Sequence, residues 1–91
     1  MRVLFSKRFD CDLQAINSDV SVKTILDGCS LLEMFPFMGS ALVSNNEQTN
    51  IRILYIEDFA ILYEVGESDV YVTRALDTRK LEYGYLRNTN H

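Results

Sequence analysis

Three runs of branched and aromatic residues in the second half of the chain constrain its fold more strongly than any other feature. They span residues 51–56, 59–65 and 70–76, and this composition is typical of β-strands. The breaks between them are short: Glu57-Asp58 separates the first two runs, and residues 66–69, which include a glycine, separate the last two. Breaks of two to four residues suit hairpin turns, so the sequence predicts an antiparallel meander of three strands.

The first 36 residues carry a different pattern, one typical of helices. A short β-like run at residues 2–5 comes first, and Ser6 then provides a helix cap. Phe9, Leu13 and Ile16 follow at spacings of four and three, which places them on one face of a helix.

A second helix is predicted after the turn cluster at residues 17–19, which is also able to cap it. Gly28 lies inside this helix and weakens it by about 1 kcal/mol relative to alanine, and Pro36 ends it. The apolar residues at helical spacing, which predict its buried face, are Val22, Ile25, Leu26, Cys29, Leu32 and Phe35.

Segregated helices and strands predict an α+β fold: two N-terminal helices packed on a twisted antiparallel sheet, in the order β-α-α-β-β-β(-α). Residues 37–50 are expected to be loop, and the last helix to run from Arg79 toward Leu86, capped by Asp77-Thr78. Because the middle strand is apolar at nearly every position, both of its faces should be covered. Helices cover one face, and the C-terminal segment, a partner chain or a shallow groove must meet the other.

Length and composition limit the classes of protein that remain. With 91 residues, 47% hydrophobic and 24% charged, the chain is expected to form one globular domain, 1–91. No apolar run is long enough to span a membrane and no signal peptide is evident, so we expect a cytoplasmic protein. Cys11 and Cys29 do not form a disulfide framework, and both are expected to be small core residues of a reduced protein.

The charge distribution is uneven. The net charge is −4, which argues mildly against a protein that grips nucleic acid through its phosphates. Six acidic residues and one basic residue give residues 47–69 a net charge of −5, whereas four basic and two acidic residues give residues 70–91 a net charge of +2. An anion could therefore still bind at the C-terminal end.

Several catalytic mechanisms are excluded because the residues that they need are missing. The chain has no glycine-rich phosphate loop, its one histidine is His91, and its two cysteines with that histidine do not make a zinc site. We therefore expect no cofactor and no metal. The acidic hairpin residues could hold a cation, but they are more typical of solvated turns. What remains is a basic and aromatic set, which is either an anion-binding patch or a group of ordinary surface charges and core aromatics: Arg52, Arg74, Arg79, Lys80, Tyr83, Tyr85 and Arg87.

Several local strings, in this order, resemble the RelE/ParE superfamily of bacterial toxins. They are Phe5-Ser6 opening the first helix, residues 31–39 where a leucine and an aromatic precede Pro36 and Met38-Gly39, the paired strands at 51–56 and 58–65, and residues 70–80 with their basic exit. These strings are spread along almost the entire chain.

The resemblance implies the toxin of a type II toxin–antitoxin module, neutralised by a cognate antitoxin. RelE-like members inhibit translation by cutting mRNA on the ribosome, as metal-independent endoribonucleases (mRNA interferases), and ParE-like members poison DNA gyrase. By position, the resemblance implies catalytic roles for Arg79, Tyr85 and Arg52. Phosphate contacts would come from Lys80, Arg74 and Arg87.

The alternative is a non-enzymatic binder of the same fold, either a gyrase-type toxin or a degenerate toxin that retains only antitoxin binding. Ala60 stands where many of the RNases have an arginine, and Asp77 stands where they often have histidine or glycine. Ala60 and the acidic net charge favour the binder. The compact helical hairpin and the C-terminal arginine and tyrosine residues favour the RNase.

Overall fold

The computed structural model describes residues 1–44 and 47–80, and within them it shows an α+β fold. The elements are β1 (Arg2–Phe5), α1 (Lys7–Gln14), α2 (Asp19–Ser30), a 3-10 turn (Leu31–Glu33), β2 (Ser40–Ser44), β3 (Glu47–Ile56), β4 (Phe59–Val65) and β5 (Asp69–Asp77). A strand therefore begins the fold, and the two helices follow it. None of the helices in the described ranges is long and apolar enough to cross a lipid bilayer.

The five strands form a mixed sheet in the order β1-β5-β4-β3-β2. The strands β2 to β5 make an antiparallel meander, and the predicted hairpins β3–β4 and β4–β5 are confirmed. The expectation of a wholly antiparallel sheet is wrong, because β1 pairs in parallel with β5, with Val3 opposite Val70. These two strands lie at opposite ends of the sequence and no hairpin joins them, so turn length does not determine their relative direction.

The strand β2 occupies part of the segment that was expected to be loop. It pairs with β3 in two stretches, from Ser40 opposite Ile53 to Ser44 opposite Glu47, with a register shift between Ala41 and Val43. Serine and asparagine in this segment are typical of loops, but the ladder with β3 supplies the backbone hydrogen bonds that a strand needs.

Both predicted helix caps are confirmed. The Ser6 hydroxyl accepts a hydrogen bond of 3.0 Å from the Phe9 N–H, and the Ser18 hydroxyl accepts one of 3.1 Å from the Ser21 N–H. The second helix ends at Ser30, earlier than predicted, and continues as the 3-10 turn. As a result Phe35, expected on the buried helix face, is 55% exposed.

The core lies on both faces of the sheet, and the middle strand β4 is buried from Phe59 to Tyr63 as predicted. One buried cluster joins residues of the helices and the 3-10 turn to residues of β4 and β5: Phe9, Ile25, Cys29, Leu32, Phe59, Ile61, Tyr63, Val70, Val72 and Ala75. A second buried cluster comprises Leu42, Ile53, Ala60, Leu62 and Leu76. The expectation that both cysteines are core residues is wrong for Cys11, which is exposed.

Candidate functional site

A charged groove of about 660 Å³ lies where the helices approach the end of the sheet. One wall is the end of α1 and the turn leading to α2, and the other is the β3–β4 turn together with the end of β5. Among the described residues, its ionisable lining consists of Asp12, Glu57, Asp58, Asp77, Arg79 and Lys80. Four carboxylates against two cations make the groove acidic.

The predicted catalytic residue Arg79 lies at this groove and is held by two carboxylates. Its Nε and Nη2 donate hydrogen bonds of 2.9 Å to the two carboxylate oxygens of Asp77, and its Nη1 is 3.8 Å from Oδ2 of Asp58. The Arg79 N–H also donates to Asp77 Oδ1, at 2.9 Å. The side chain is nevertheless 66% exposed, so Arg79 is accessible to solvent although its guanidinium is already engaged.

The same contacts perturb the acidity of both groups. Hydrogen bonds from the Arg79 side chain and backbone lower the pKa of Asp77 to about 2, because they stabilise its ionised form. The Asp77 carboxylate in turn raises the pKa of Arg79. At neutral pH both groups are therefore charged.

The predicted phosphate-binding residue Arg74 instead holds α1 against β5. Its Nε and Nη2 donate to the two carboxylate oxygens of Asp12 at 2.8 and 3.1 Å. The Ala75 N–H donates to the same carboxylate, at 2.8 Å. Since both side chains are largely buried, this contact is part of the framework that positions one wall of the groove.

The predicted catalytic residue Arg52 is not among the residues that line the groove. On β3, its Nη2 donates to the backbone carbonyls of Phe37 and Gly39, and its guanidinium lies over the Phe37 ring, 5.2 Å from the ring centroid. Arg52 thus fixes the loop between the 3-10 turn and β2. The structure brings Arg79 and Lys80 together at the groove and separates them from Arg52.

The remaining predicted site residues, Tyr85 and Arg87, lie outside the described residues, as do Tyr83, His91 and nearly all of the predicted last helix. Arg79 and Lys80, where that helix was expected to begin, lie in a turn. Ala60, which stands where many of the RNases have an arginine, is fully buried in the second cluster. This position therefore belongs to the core. Within the described ranges, no three histidine, cysteine, aspartate or glutamate side chains are arranged to hold a metal ion.

The sequence analysis missed an exposed apolar surface on the segment that follows α2. It consists of Leu31, Met34, Phe35, Phe37 and Met38, whose exposed fractions range from 40 to 74%. The sequence carried a signal for this surface, because four large apolar residues flank Pro36. A single turn of the chain cannot bury that many large side chains.

The backbone beneath the apolar surface is held by hydrogen bonds. The N–H groups of Met34 and Phe35 donate to the Leu31 carbonyl, and the Met38 N–H donates to the Phe35 carbonyl. The Gly39 N–H donates to the buried hydroxyl of Tyr63, at 2.9 Å. The exposed side chains are therefore presented from a backbone that is tied to the sheet.

This fold, with two helices packed on a five-stranded sheet built from an antiparallel meander, is the one seen in structures of toxin–antitoxin systems. A chain of the chromosomal ParDE TA system from P. aeruginosa superposes with a TM-score of 0.67 at 18% sequence identity, over 82% of this chain and 92% of that one. A chain of the RelB-RelE antitoxin-toxin complex from Methanococcus jannaschii superposes with a TM-score of 0.61 at 23% identity, over 90% of this chain and 96% of that one.

Both structural neighbours share less than a quarter of their aligned residues with this chain. No protein-family sequence model matches the chain, and no curated protein sequence matches it.

Proposed function

We propose that the chain is the toxin-fold component of a toxin–antitoxin module, that it acts by binding proteins, and that a cognate antitoxin neutralises it. The observation that carries this proposal is the apolar surface. Exposed clusters of large apolar side chains are rare on proteins that stay unpartnered, and they mark sites of protein association. Two aromatic rings and two methionines are the residue types that anchor such contacts.

The occupant that we propose for the apolar surface is an apolar segment of the antitoxin. Both structural neighbours come from toxin–antitoxin systems, one of them an antitoxin-toxin complex by its description. A fixed backbone lowers the entropy lost on binding, because the loop is already ordered before the partner arrives. The links from Arg52 and Tyr63 to this loop supply that order.

Protein binding is favoured over RNA cleavage because three of the predicted site arginines already donate hydrogen bonds to groups of this chain. A phosphate site needs guanidinium groups with donors available to the ligand. Instead Arg52 donates to backbone carbonyls, Arg74 to Asp12 and Arg79 to Asp77. Among the residues that the structure describes, the groove that contains Arg79 also has more acidic than basic side chains, which opposes the approach of a polyanion.

Inhibition of translation by mRNA cleavage is the second candidate. One observation favours it: Arg79 is largely exposed at the groove and Lys80 is beside it. In this candidate Arg79, Tyr85 and Arg52 act on the RNA, and Lys80, Arg74 and Arg87 bind its phosphates.

Expression of the chain alone and together with its neighbouring reading frame tests the proposal. We expect growth arrest without the neighbour and rescue with it, if the neighbour encodes a small protein that co-purifies with the chain. Normal growth with folded protein would contradict the toxin assignment. During arrest, cut ends in cellular mRNA would support the second candidate, whereas intact mRNA supports a protein target.

A surface variant tests the docking site. The double change Met34→Lys and Phe35→Ser should weaken antitoxin binding by at least about tenfold, because it removes two anchors of the apolar surface. The matched control is Val20→Ser, since Val20 is as exposed as Met34 but lies at the start of α2. Equal affinity of wild type and double variant would place the antitoxin elsewhere.

A further inference from the structure

The apolar surface also carries a chemical feature that docking alone does not require. All three methionines of the chain are exposed, Met1 by 39%, Met34 by 74% and Met38 by 40%, and the last two belong to this surface. We propose that Met34 and Met38 form a modification site, at which oxidation of the thioethers to sulfoxides prevents the chain from binding its antitoxin. This assignment rests on the proposed function, because the antitoxin is the partner that the oxidised surface no longer binds.

The two thioethers are accessible to an oxidant in the folded protein. Met34 directly follows the 3-10 turn, and its N–H donates to the Leu31 carbonyl, while the N–H of Met38 donates to the Phe35 carbonyl. Because the backbone is held in this way, the side chains are exposed without local unfolding. Methionine commonly fills gaps in a core, but none of the three methionines of this chain is a core residue.

The modification is a two-electron oxidation by a peroxide. A lone pair of the methionine sulfur attacks one oxygen of hydrogen peroxide, so that an S–O bond forms and the O–O bond breaks. The sulfur is oxidised, the peroxide is reduced, and the proton of the transferred hydroxyl leaves with the second oxygen as water. The product is a polar sulfoxide in place of an apolar thioether, and methionine sulfoxide reductases reverse the change.

A sulfoxide at either position opposes docking. The anchoring side chains of a protein interface lose their contact with water when the partner binds. A sulfoxide oxygen is a hydrogen-bond acceptor, and its desolvation is unfavourable unless the partner supplies a donor. The side chains of an apolar antitoxin segment supply none. We therefore expect oxidation of both Met34 and Met38 to weaken antitoxin binding by at least about tenfold.

Treatment of the folded chain with hydrogen peroxide tests the site, with the co-purifying product of the neighbouring reading frame as the binding partner. Peptide mass spectrometry should find sulfoxides at Met34 and Met38, and titration calorimetry should show the tenfold loss of affinity. Methionine sulfoxide reductases A and B should restore binding.

The matched control is the double variant Met34→Leu and Met38→Leu. Leucine is apolar and close to methionine in volume, so this variant should bind the partner before peroxide treatment and keep its affinity afterwards. The variant retains Met1 and Cys11, both of which are exposed to the same oxidant. An equal loss of affinity in the treated variant would overturn the proposal, because the effect would then arise away from the two methionines.

The remaining outcomes separate this site from the proposed function. If the untreated chain does not bind the partner, the proposed function is wrong and the oxidation site falls with it. If the untreated and oxidised chains bind equally well, only the oxidation site is overturned. The thermal melt of the oxidised chain should match that of the untreated chain, since neither side chain is in the core. Loss of the melting transition would overturn the proposal, because affinity would then fall through unfolding.

Discussion

The backbone N–H of Gly39 donates a 2.9 Å hydrogen bond to the phenolic oxygen of Tyr63, at a point where both residues are buried. A side chain at Gly39 has no space, since a Cβ there would lie 2.6 Å from the Ile53 carbonyl oxygen and 2.7 Å from the Tyr63 hydroxyl. The loop that carries the apolar surface is therefore joined to the sheet at a contact that requires both glycine and tyrosine.

Removal of the Tyr63 hydroxyl should destabilise the protein. In Tyr63→Phe the buried Gly39 N–H loses its partner, which costs about 1–3 kcal/mol of the free energy of unfolding. Urea denaturation measures this loss. The matched control is Tyr71→Phe, because Tyr71 is 43% exposed, and its change should stay within about 0.5 kcal/mol. Similar effects of the two substitutions would show that the hydrogen bond adds little.

The carboxylate of Asp12 should stabilise the fold by joining α1 to β5. The strand β1 ends at Phe5, and the next contacts along this edge of β5 come from the cap and the body of α1. The hydroxyl of the cap residue Ser6 donates to the Thr73 carbonyl at 2.8 Å. In the helix, the Asp12 carboxylate accepts from Ala75 and Arg74. Asp12→Asn removes the negative charge to which Arg74 donates two hydrogen bonds, at a cost of about 1.5–3 kcal/mol in the free energy of unfolding.

Asp10→Asn provides the comparison for Asp12→Asn. It removes the same charge from the same helix at an exposed position, where only the interaction with the helix dipole is lost, about 0.3–1 kcal/mol. Denaturation curves that rank the two variants the other way would contradict the structural role of Asp12.

Local features of the fold are the ones that sequence patterns predict well. Ser6 and Ser18 cap their helices, and the hairpin on each side of β4 follows from the short break between two strand-like runs. Each of these features depends on residues a few positions apart. Gly28 shows the limit of such reasoning: its weakening effect on a helix is a local property, but a Cβ there would overlap Cδ1 of Ile56 on β3.

Long-range pairings could not be predicted in the same way. The parallel contact of β1 with β5 and the ion pair of Asp12 with Arg74, 62 positions apart, exist only after the chain has folded. The second pairing also alters the predicted site, because Arg74 holds α1 against β5 instead of binding phosphate. The pairing of Asp77 with Arg79 is local, and an aspartate two residues before an arginine at a strand end could have indicated it.

Titration of Asp77 tests its ion pair with Arg79. The hydrogen bonds from Arg79 lower the pKa of Asp77 from 3.8 to about 2, so they stabilise the folded state where Asp77 is ionised. This contribution to stability is complete above the pKa of Asp77 in the unfolded chain, and it is lost as the pH falls through the pKa of Asp77 in the folded protein. The side-chain carboxyl carbon shift, followed by NMR, should show a midpoint at about 2.

The control for this titration is Arg79→Ala, in which the midpoint of Asp77 should rise toward the ordinary value of 3.8. If the wild-type midpoint is already near 3.8, the Arg79 guanidinium does not hydrogen-bond to the Asp77 carboxylate in solution.

The two cysteines should differ sharply in reactivity. Cys29 is fully buried against the sheet, and burial raises the pKa of its thiol to about 12. At pH 8 only about one Cys29 in 10⁴ would be the reactive thiolate, and iodoacetamide reaches it only when the structure opens. Cys11 is exposed, so iodoacetamide reaches it in the folded protein. Mass spectrometry of the folded protein should therefore show one rapid alkylation, with the second appearing in urea. The variant Cys11→Ser should show none until it unfolds, and rapid labelling of that variant would mean that α2 does not pack on the sheet as described.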